Sequence, residues 1–538
     1  MPRGALRHAG PLLALLLSAA AISYQRDRQR VDYTSYDLPS FDGYVYMTMA
    51  NEPAFFTAAP WGYRVLGPRL VHLFPPRARL LAFRELAFWG LTSCGLLLFL
   101  FLRRLGHGDA MALLGVAFFE LSRPVRLALG IPMLGEPLAV LLEIAALLAV
   151  AAGAGLASVA AILGLGVLAK ELFLLMPPLV FFERRARDGW RGALFAALKV
   201  AVPAAGAFLL LRLWWTPHLH TPHPPWNLDL ARAGAAVLSS EWADTSRALL
   251  LSGVTPLALL GALCREARPY LNVYGYLALA GLALSLAAWV NVPSAVAVPL
   301  FGANTERLLI YALPLLIPLA LTAVERVLRL APAVAPQTAG LRRGGLRAVS
   351  LLGCGAVLAF PLFGGDRYRR HPLHEPRDGP LLMALCQESL RVARRIERGE
   401  EVVLEPARMR FAWGIDDAAR LFEMRWFLRE GWGPLAHYGV DAVRMREARA
   451  ALLLPCLRPR ELLVTIELDA AATRAFDVLV NGTPVGRVAT GPEPVRAASV
   501  VKIPANVLFR GDNLLTLSAA DDSASAARLR RYRLRAAS

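Results

Sequence analysis

Apolar runs of about twenty residues recur through the first two thirds of this 538-residue chain. A helix rises about 1.5 Å per residue, so a run of that length spans the roughly 30 Å of hydrocarbon in a bilayer. The runs cover residues 9 to 24, 80 to 102, 110 to 129, 132 to 152, 193 to 215, 247 to 264, 271 to 290, 308 to 330 and 347 to 363. The stretch from 155 to 182 reads as a hairpin of two short helices meeting at Lys170 and Glu171. With the hairpin, the later inward loops hold eleven arginines against three outside (Arg232, Arg247, Arg307), as short cytoplasmic loops prefer; a single helix inverts the ratio. The expectation is therefore a polytopic α-helical membrane domain over residues 1–363, with about eleven transmembrane helices and the N-terminus inside. Arg3 and Arg7 precede the first run with no small-x-small cleavage site before Tyr24, so that run is expected to stay as an anchor.

Composition agrees with a lipid setting. The chain is 56% hydrophobic and 19% charged, against about 45–50% and about 25% in soluble domains. Its net charge of +18 sits mainly at the ends of apolar runs, which argues against a nucleic-acid partner. Lys170, Lys199 and Lys502 are the only lysines in a chain that otherwise writes arginine. Five cysteines without a CxxC spacing indicate neither a zinc site nor a disulfide framework, and spacing alone does not decide whether Cys386 and Cys456 of the tail pair.

Residues 364–538 read differently. Apolar positions at helical spacing over 380 to 398 predict a helix, and residues 450 to 534 predict short strands forming an antiparallel β-sandwich, giving an outward, periplasmic α/β domain. Asn481-Gly482 between two alternating runs predicts a two-residue hairpin, which explains Asn481-Gly482-Thr483 better than glycosylation does. Gly511-Asp512-Asn513 predicts a second turn.

Candidate chemistry gathers on the outward side. The loop from 25 to 78 is far longer than a connector requires and mixes Asp32, Asp37 and Asp42 with many aromatic residues, a combination suited to a sugar. Lys170 and Glu171 are charges inside an apolar stretch, each costing roughly 2.5–3.5 kcal/mol on insertion scales, and such groups are usually paired, wet or functional. Arg84, Glu85 and Glu136 repeat that signal more weakly. Arg307 offers a planar fork of donors for a phosphate. His218, His220 and His223 lie in a proline-rich loop whose shape explains them better than a metal does. Neither GxxxxGK[ST] nor GxGxxG after a strand occurs, so ATP and NAD chemistry are unsupported.

FDGYVYMTMANEP followed by YRVLGP in the first outer loop, GLGVLAKE at 164–171 and ERLLIYALPLL at 306–316 together resemble polytopic glycosyltransferases of the GT-C fold, over about residues 9 to 363. VLVNGTPVGRV and IPANVLFRGDNLLTL resemble carbohydrate-binding jelly-roll domains. The first resemblance implies transfer of a hexose or pentose, with inversion, from a polyprenyl-phosphate donor to a glycan, lipid or protein acceptor at the periplasmic face of a bacterial inner membrane. It implies Asp42 as catalytic base, with Asp37 as fallback, although this chain writes Asp42-Gly43 where many members carry adjacent acids. Arg64, Lys170 and Arg307 would hold the donor phosphate, supported by Glu171, Glu136 and Tyr44. The resemblance fixes no cofactor requirement and leaves room for a divalent cation. A transporter or flippase of lipid-linked sugars, or a scaffold displaying the sandwich, are the competing readings.

Overall fold

The computed structural model describes residues 3–28, 42–55, 61–130, 132–215, 254–290, 308–330, 388–404, 443–445, 448–470, 474–492, 497–519 and 527–537. Its helices are α1 (Arg3–Arg28), α2 (Asp42–Asn51), α3 (Leu66–His72), α4 (Arg79–Arg104), α5 (Asp109–Glu120), α6 (Arg123–Gly130), α7 (Glu136–Ala151) and α8 (Leu156–Ala169). They continue with α9 (Pro177–Leu209), α10 (Val254–Ala262), α11 (Arg268–Val290), α12 (Leu313–Leu330) and α13 (Glu388–Glu397). The strands are β1 (Val402–Leu404), β2 (Val443–Arg444), β3 (Arg449–Cys456), β4 (Leu462–Ala470), β5 (Ala475–Val480), β6 (Thr483–Ala489), β7 (Gly491–Pro492), β8 (Ala497–Ile503), β9 (Gly511–Ala519) and β10 (Arg528–Ala536).

The expected GT-C-like bundle of about eleven transmembrane helices is overturned. Among the described residues, two helical stretches are long and apolar enough to cross a membrane, 76–104 and 171–213. Of the other apolar runs, several are cut by backbone breaks into shorter pieces. The run from 110 to 129 divides at Leu121 and Ser122 into α5 and α6; α7 and α8 are 16 and 14 residues long, separated by Gly153 in a left-handed conformation (φ 70°). At about 1.5 Å per residue, α8 reaches only about 21 Å. These helices bury apolar side chains against one another: Leu91, Leu98 and Phe101 of α4, Phe119 of α5, Val140 and Leu147 of α7, and Leu163 of α8 form one core with Ile317 and Leu321 of α12. The first run lies within α1, and the run from 347 to 363 lies outside the described residues.

Arginines mark both long stretches. α4 ends in Arg103 and Arg104. The second stretch is broken at Gly189, whose φ of 66° suits only glycine, and Arg184, Arg185, Arg187 and Arg191 flank that kink. Beyond it α9 exposes Leu194, Phe195, Leu198, Val202 and Leu209, an apolar face turned away from the protein core.

The C-terminal residues form a β-sheet domain of two layers. The larger sheet runs β1-β10-β4-β7, with β2 also on β10 and β8 on β4; the smaller runs β3-β9-β5-β6. All pairs are antiparallel except the two-residue β4–β7 contact. Alternating strand residues meet between the layers, among them Ile466, Phe476, Val478, Leu515, Leu517 and Leu534. The Tyr532 hydroxyl of β10 donates to the Leu453 carbonyl of β3 at 3.2 Å, joining the layers through a buried phenol. The Asn481-Gly482 hairpin is present, with φ of 50° and 84° at its two turn residues. The second expected turn is displaced: Gly511, Asp512 and Asn513 open β9, and the turn precedes them. Asn513, fully buried, accepts from the Phe509 amide at 2.9 Å and donates to the Phe509 carbonyl, so its side chain holds that turn from within the strand.

The expected helix over 380 to 398 appears as α13, and residues 380–387 lie outside the described residues. α13 covers β3, which explains why both faces of that strand are buried. The end of α2 docks on this domain: Phe55 packs against Leu390, Ala393 and Leu457, and Arg510 pairs with Glu52 at 2.6 Å.

Candidate functional site

Three chain breaks bring charge together. α8 ends where Lys170 adopts an extended backbone (φ −163°, ψ 140°), after which residues 171–175 form a tight turn and Pro177 opens α9. Proline suits that position because the first helical amides lack partners anyway. The return is tight at Gly166, where a Cβ would lie 2.1 Å from the Phe173 ring. Gly135-Glu136-Pro137 starts α7 and sets an acid at a helix N-terminus, which the backbone dipoles favour.

Lys170 Nζ donates to Glu136 Oε1 at 2.9 Å, with the two side chains only 10% and 3% exposed. The ammonium also lies 4.6 Å from the centre of the buried Tyr311 ring, a cation–π contact. Glu171 turns to a second pair of partners. Its Oε2 accepts from Arg64 Nε at 3.1 Å, and Arg64 Nη1 donates to the Tyr46 hydroxyl at 3.1 Å. Its Oε1 lies 3.7 Å from Arg212 Nη2. Arg212 sits in the wide, π-type turn Leu210–Trp215 that ends the second long helix, with its guanidinium 4.4 Å from the Tyr63 ring and 4.3 Å from Phe208. Such turns often mark functional positions.

The cluster thus holds three cations (Arg64, Lys170, Arg212) and two carboxylates (Glu136, Glu171). A small cavity of about 20 Å³, room for one water, opens beside Tyr46 and Arg64. Its remaining wall is apolar and includes Phe83, Leu86, Met133, Leu134 and Leu138. Phe509 of the β-sheet domain packs with Tyr63 and Leu211 at the edge of the cluster.

Of the residues expected from sequence, Arg64, Lys170, Glu171 and Glu136 come together here. Asp42 is the first residue of α2, one helical turn before Tyr46, and Tyr44 lies between them; for both, the backbone position alone is described. Asp32, Asp37, Arg307 and the histidines at 218, 220 and 223 lie outside the described residues. Glu85 stands apart in a half-exposed pair with Arg26 at 3.5 Å. Among the described residues no group of three or more His, Cys, Asp or Glu side chains could hold a metal ion. Arg212 is a cluster member that the sequence reading passed over. Its signal was present, a lone guanidinium inside an apolar run and beside Phe208, Trp214 and Trp215.

No protein-family model matches the chain, and no curated protein does. Among solved structures, a family 35 carbohydrate-binding module from Clostridium thermocellum is similar to 18% of this chain and 78% of its own, at 16% identity and a TM-score of 0.15. Values that low give the likeness no bearing on function.

Proposed function

We propose that the protein is a membrane-bound glycosyltransferase that moves a sugar from a polyprenyl-phosphate donor to an acceptor at the periplasmic face of a bacterial inner membrane. The observation that carries this reading is a cationic cluster, Arg64, Lys170 and Arg212, in which exposed Leu209, Leu210 and Leu213 flank Arg212 along the chain. A phosphate on a hydrocarbon tail has those two needs side by side. The 171–213 stretch begins at Glu171 and ends near Arg212, both in the cluster, and it turns at Gly189 among Arg184, Arg185, Arg187 and Arg191; basic turns favour the cytoplasmic side, which supports an outward cluster.

In this reading Arg64 and Lys170 hold the donor phosphate and stabilise the charge that builds on it as the glycosidic bond breaks. Asp42, at the head of the helix that carries Tyr46, takes the proton from the acceptor hydroxyl. Arg307 is assigned to the phosphate on sequence grounds. The β-sheet domain, docked through Phe55 and Arg510, handles or positions the acceptor.

The full chain in proteoliposomes, supplied with a panel of radiolabelled polyprenyl-phosphate hexoses and pentoses and crude envelope acceptors, is expected to release labelled product. Asp42→Asn and Arg64→Ala should each cut the rate at least 100-fold. No transfer from any donor by the intact chain, or near-normal turnover by Asp42→Asn, refutes the assignment.

A further inference from the structure

Glu171 stands between two guanidiniums as a phosphate would. Arg64 meets one of its oxygens at 3.1 Å, and Arg212 approaches the other to 3.7 Å. The second contact is too long for a hydrogen bond. Among the described residues, Glu171 Oε1 and Arg212 Nε are both buried atoms with no hydrogen-bond partner. A carboxylate has two oxygens and one negative charge, and here it leaves one oxygen and one donor unsatisfied between two positive forks.

A phosphate monoester has three terminal oxygens and a charge of about −1.5 to −2 near neutral pH. It would satisfy both forks at once. The forks are already held: Arg212 lies over the Tyr63 and Phe208 rings, and Arg64 bonds the Tyr46 hydroxyl. Little side-chain freedom would be lost on binding, and planar guanidiniums suit bidentate contact with phosphate.

We infer that Arg64 and Arg212 form a clamp for a phosphate monoester dianion, and that Glu171 is a resident anion which the incoming phosphate displaces. This rests on the proposed function only for what the phosphate carries: there it is the polyprenyl phosphate left after the sugar departs, a dianion where the sugar-bearing donor is a diester with one charge. Displacement frees Glu171 to swing away from the cations. Because Glu171 follows Lys170 directly at the break between α8 and α9, the exchange also loads the segment that holds the Lys170–Glu136 pair.

The two readings of Glu171 predict opposite signs. If Glu171 only braces the arginines, neutralising it loosens them and weakens phosphate binding. If it competes with phosphate, Glu171→Gln tightens binding. Dodecyl phosphate and inorganic phosphate are titrated separately by calorimetry into the full chain in maltoside detergent at pH 8. Wild type should bind dodecyl phosphate, Glu171→Gln at least about tenfold more tightly, and Arg212→Ala at least about tenfold more weakly. Arg212→Lys, which keeps a charge but loses the fork, should fall between Arg212→Ala and wild type. Equal behaviour with inorganic phosphate keeps the clamp and assigns it a soluble ligand; preference for dodecyl phosphate assigns a lipid headgroup. Unchanged or weaker binding by Glu171→Gln overturns the inference. Should that variant fail to fold, Glu171→Ser removes the same charge and is read the same way. Sugar transfer is not measured here, so tighter binding without any transfer would sink the proposed function alone, and transfer without tighter binding would sink the clamp alone.

Discussion

Splitting the Lys170–Glu136 pair should damage the protein far more than deleting it. At 2.9 Å and an effective dielectric constant of about 20, the attraction is about 6 kcal/mol. Removing each ion from water costs several kcal/mol, so the pair as a whole contributes close to nothing. A lone survivor keeps its desolvation cost and loses its partner. Lys170→Met or Glu136→Leu alone should therefore destabilise by about 3–5 kcal/mol, whereas Lys170→Met with Glu136→Leu should stay near wild type, less about 0.5–2 kcal/mol for the lost contact with Tyr311. For a cooperative unit of about 150–250 residues, each kcal/mol moves the thermal midpoint by about 2–4 °C, so each single variant should melt at least about 6 °C lower. The assay is intrinsic fluorescence melting of the full chain in one detergent, with the four proteins scanned at one rate. Single variants within about 2 °C of wild type would refute the buried pair. A double variant as unstable as the sum of the singles would show that these two groups are not each other's partners.

Two other outcomes test the local packing. Gly166→Ala drives a Cβ into the Phe173 ring and should cost about 1–3 kcal/mol, while Gly164→Ala, with open space around it, should gain about 0.5–1 kcal/mol; melting both variants checks the pair, and equal shifts would contradict the tight return after α8. Burial pushes the Cys456 thiol up to about 11, so at pH 8 roughly one molecule in a thousand carries the thiolate. Its alkylation by iodoacetamide should rise about tenfold per pH unit from 8 to 10, well behind the more exposed Cys264 at pH 8. Because the folded value lies above that of a free thiol, stability from this group is intact below about pH 9 and falls as pH climbs toward 11. Equal labelling of the two thiols at pH 8 would contradict the burial.

The sequence shows some of these features because their causes are local. Asn481-Gly482 marks its turn, since few other residues take positive φ twice in succession. The break at Lys170 was visible as two charges interrupting an apolar run. Hydropathy overcounted the crossings for an equally physical reason: α5, α7 and α8 are as apolar as membrane spans, and apolarity alone does not say whether a helix faces lipid or another helix. What separates them is length, set by Gly153, Ser122 and Lys170, and those breaks are weak letters in a window average. Arg212 was overlooked because its partners are distant in the chain: Glu171 lies 41 positions earlier, and Tyr63 reaches it only through the fold. Asn513 misled because asparagine after glycine and aspartate usually turns the chain itself, whereas here it ties down a turn already made.

Arg510 and Glu52, 458 positions apart, meet at one contact, and beside it Phe55 is buried against residues 390 to 457. A ribosome adding about 5–20 residues per second needs about 20–90 s to travel from one partner to the other. During that interval the α2 segment, which supplies Tyr46 to the arginine cluster, has been made but lacks its β-sheet support. The cationic centre therefore matures last, after the chain that will brace it has emerged, and a truncated translation product would carry the apolar helices without a finished site.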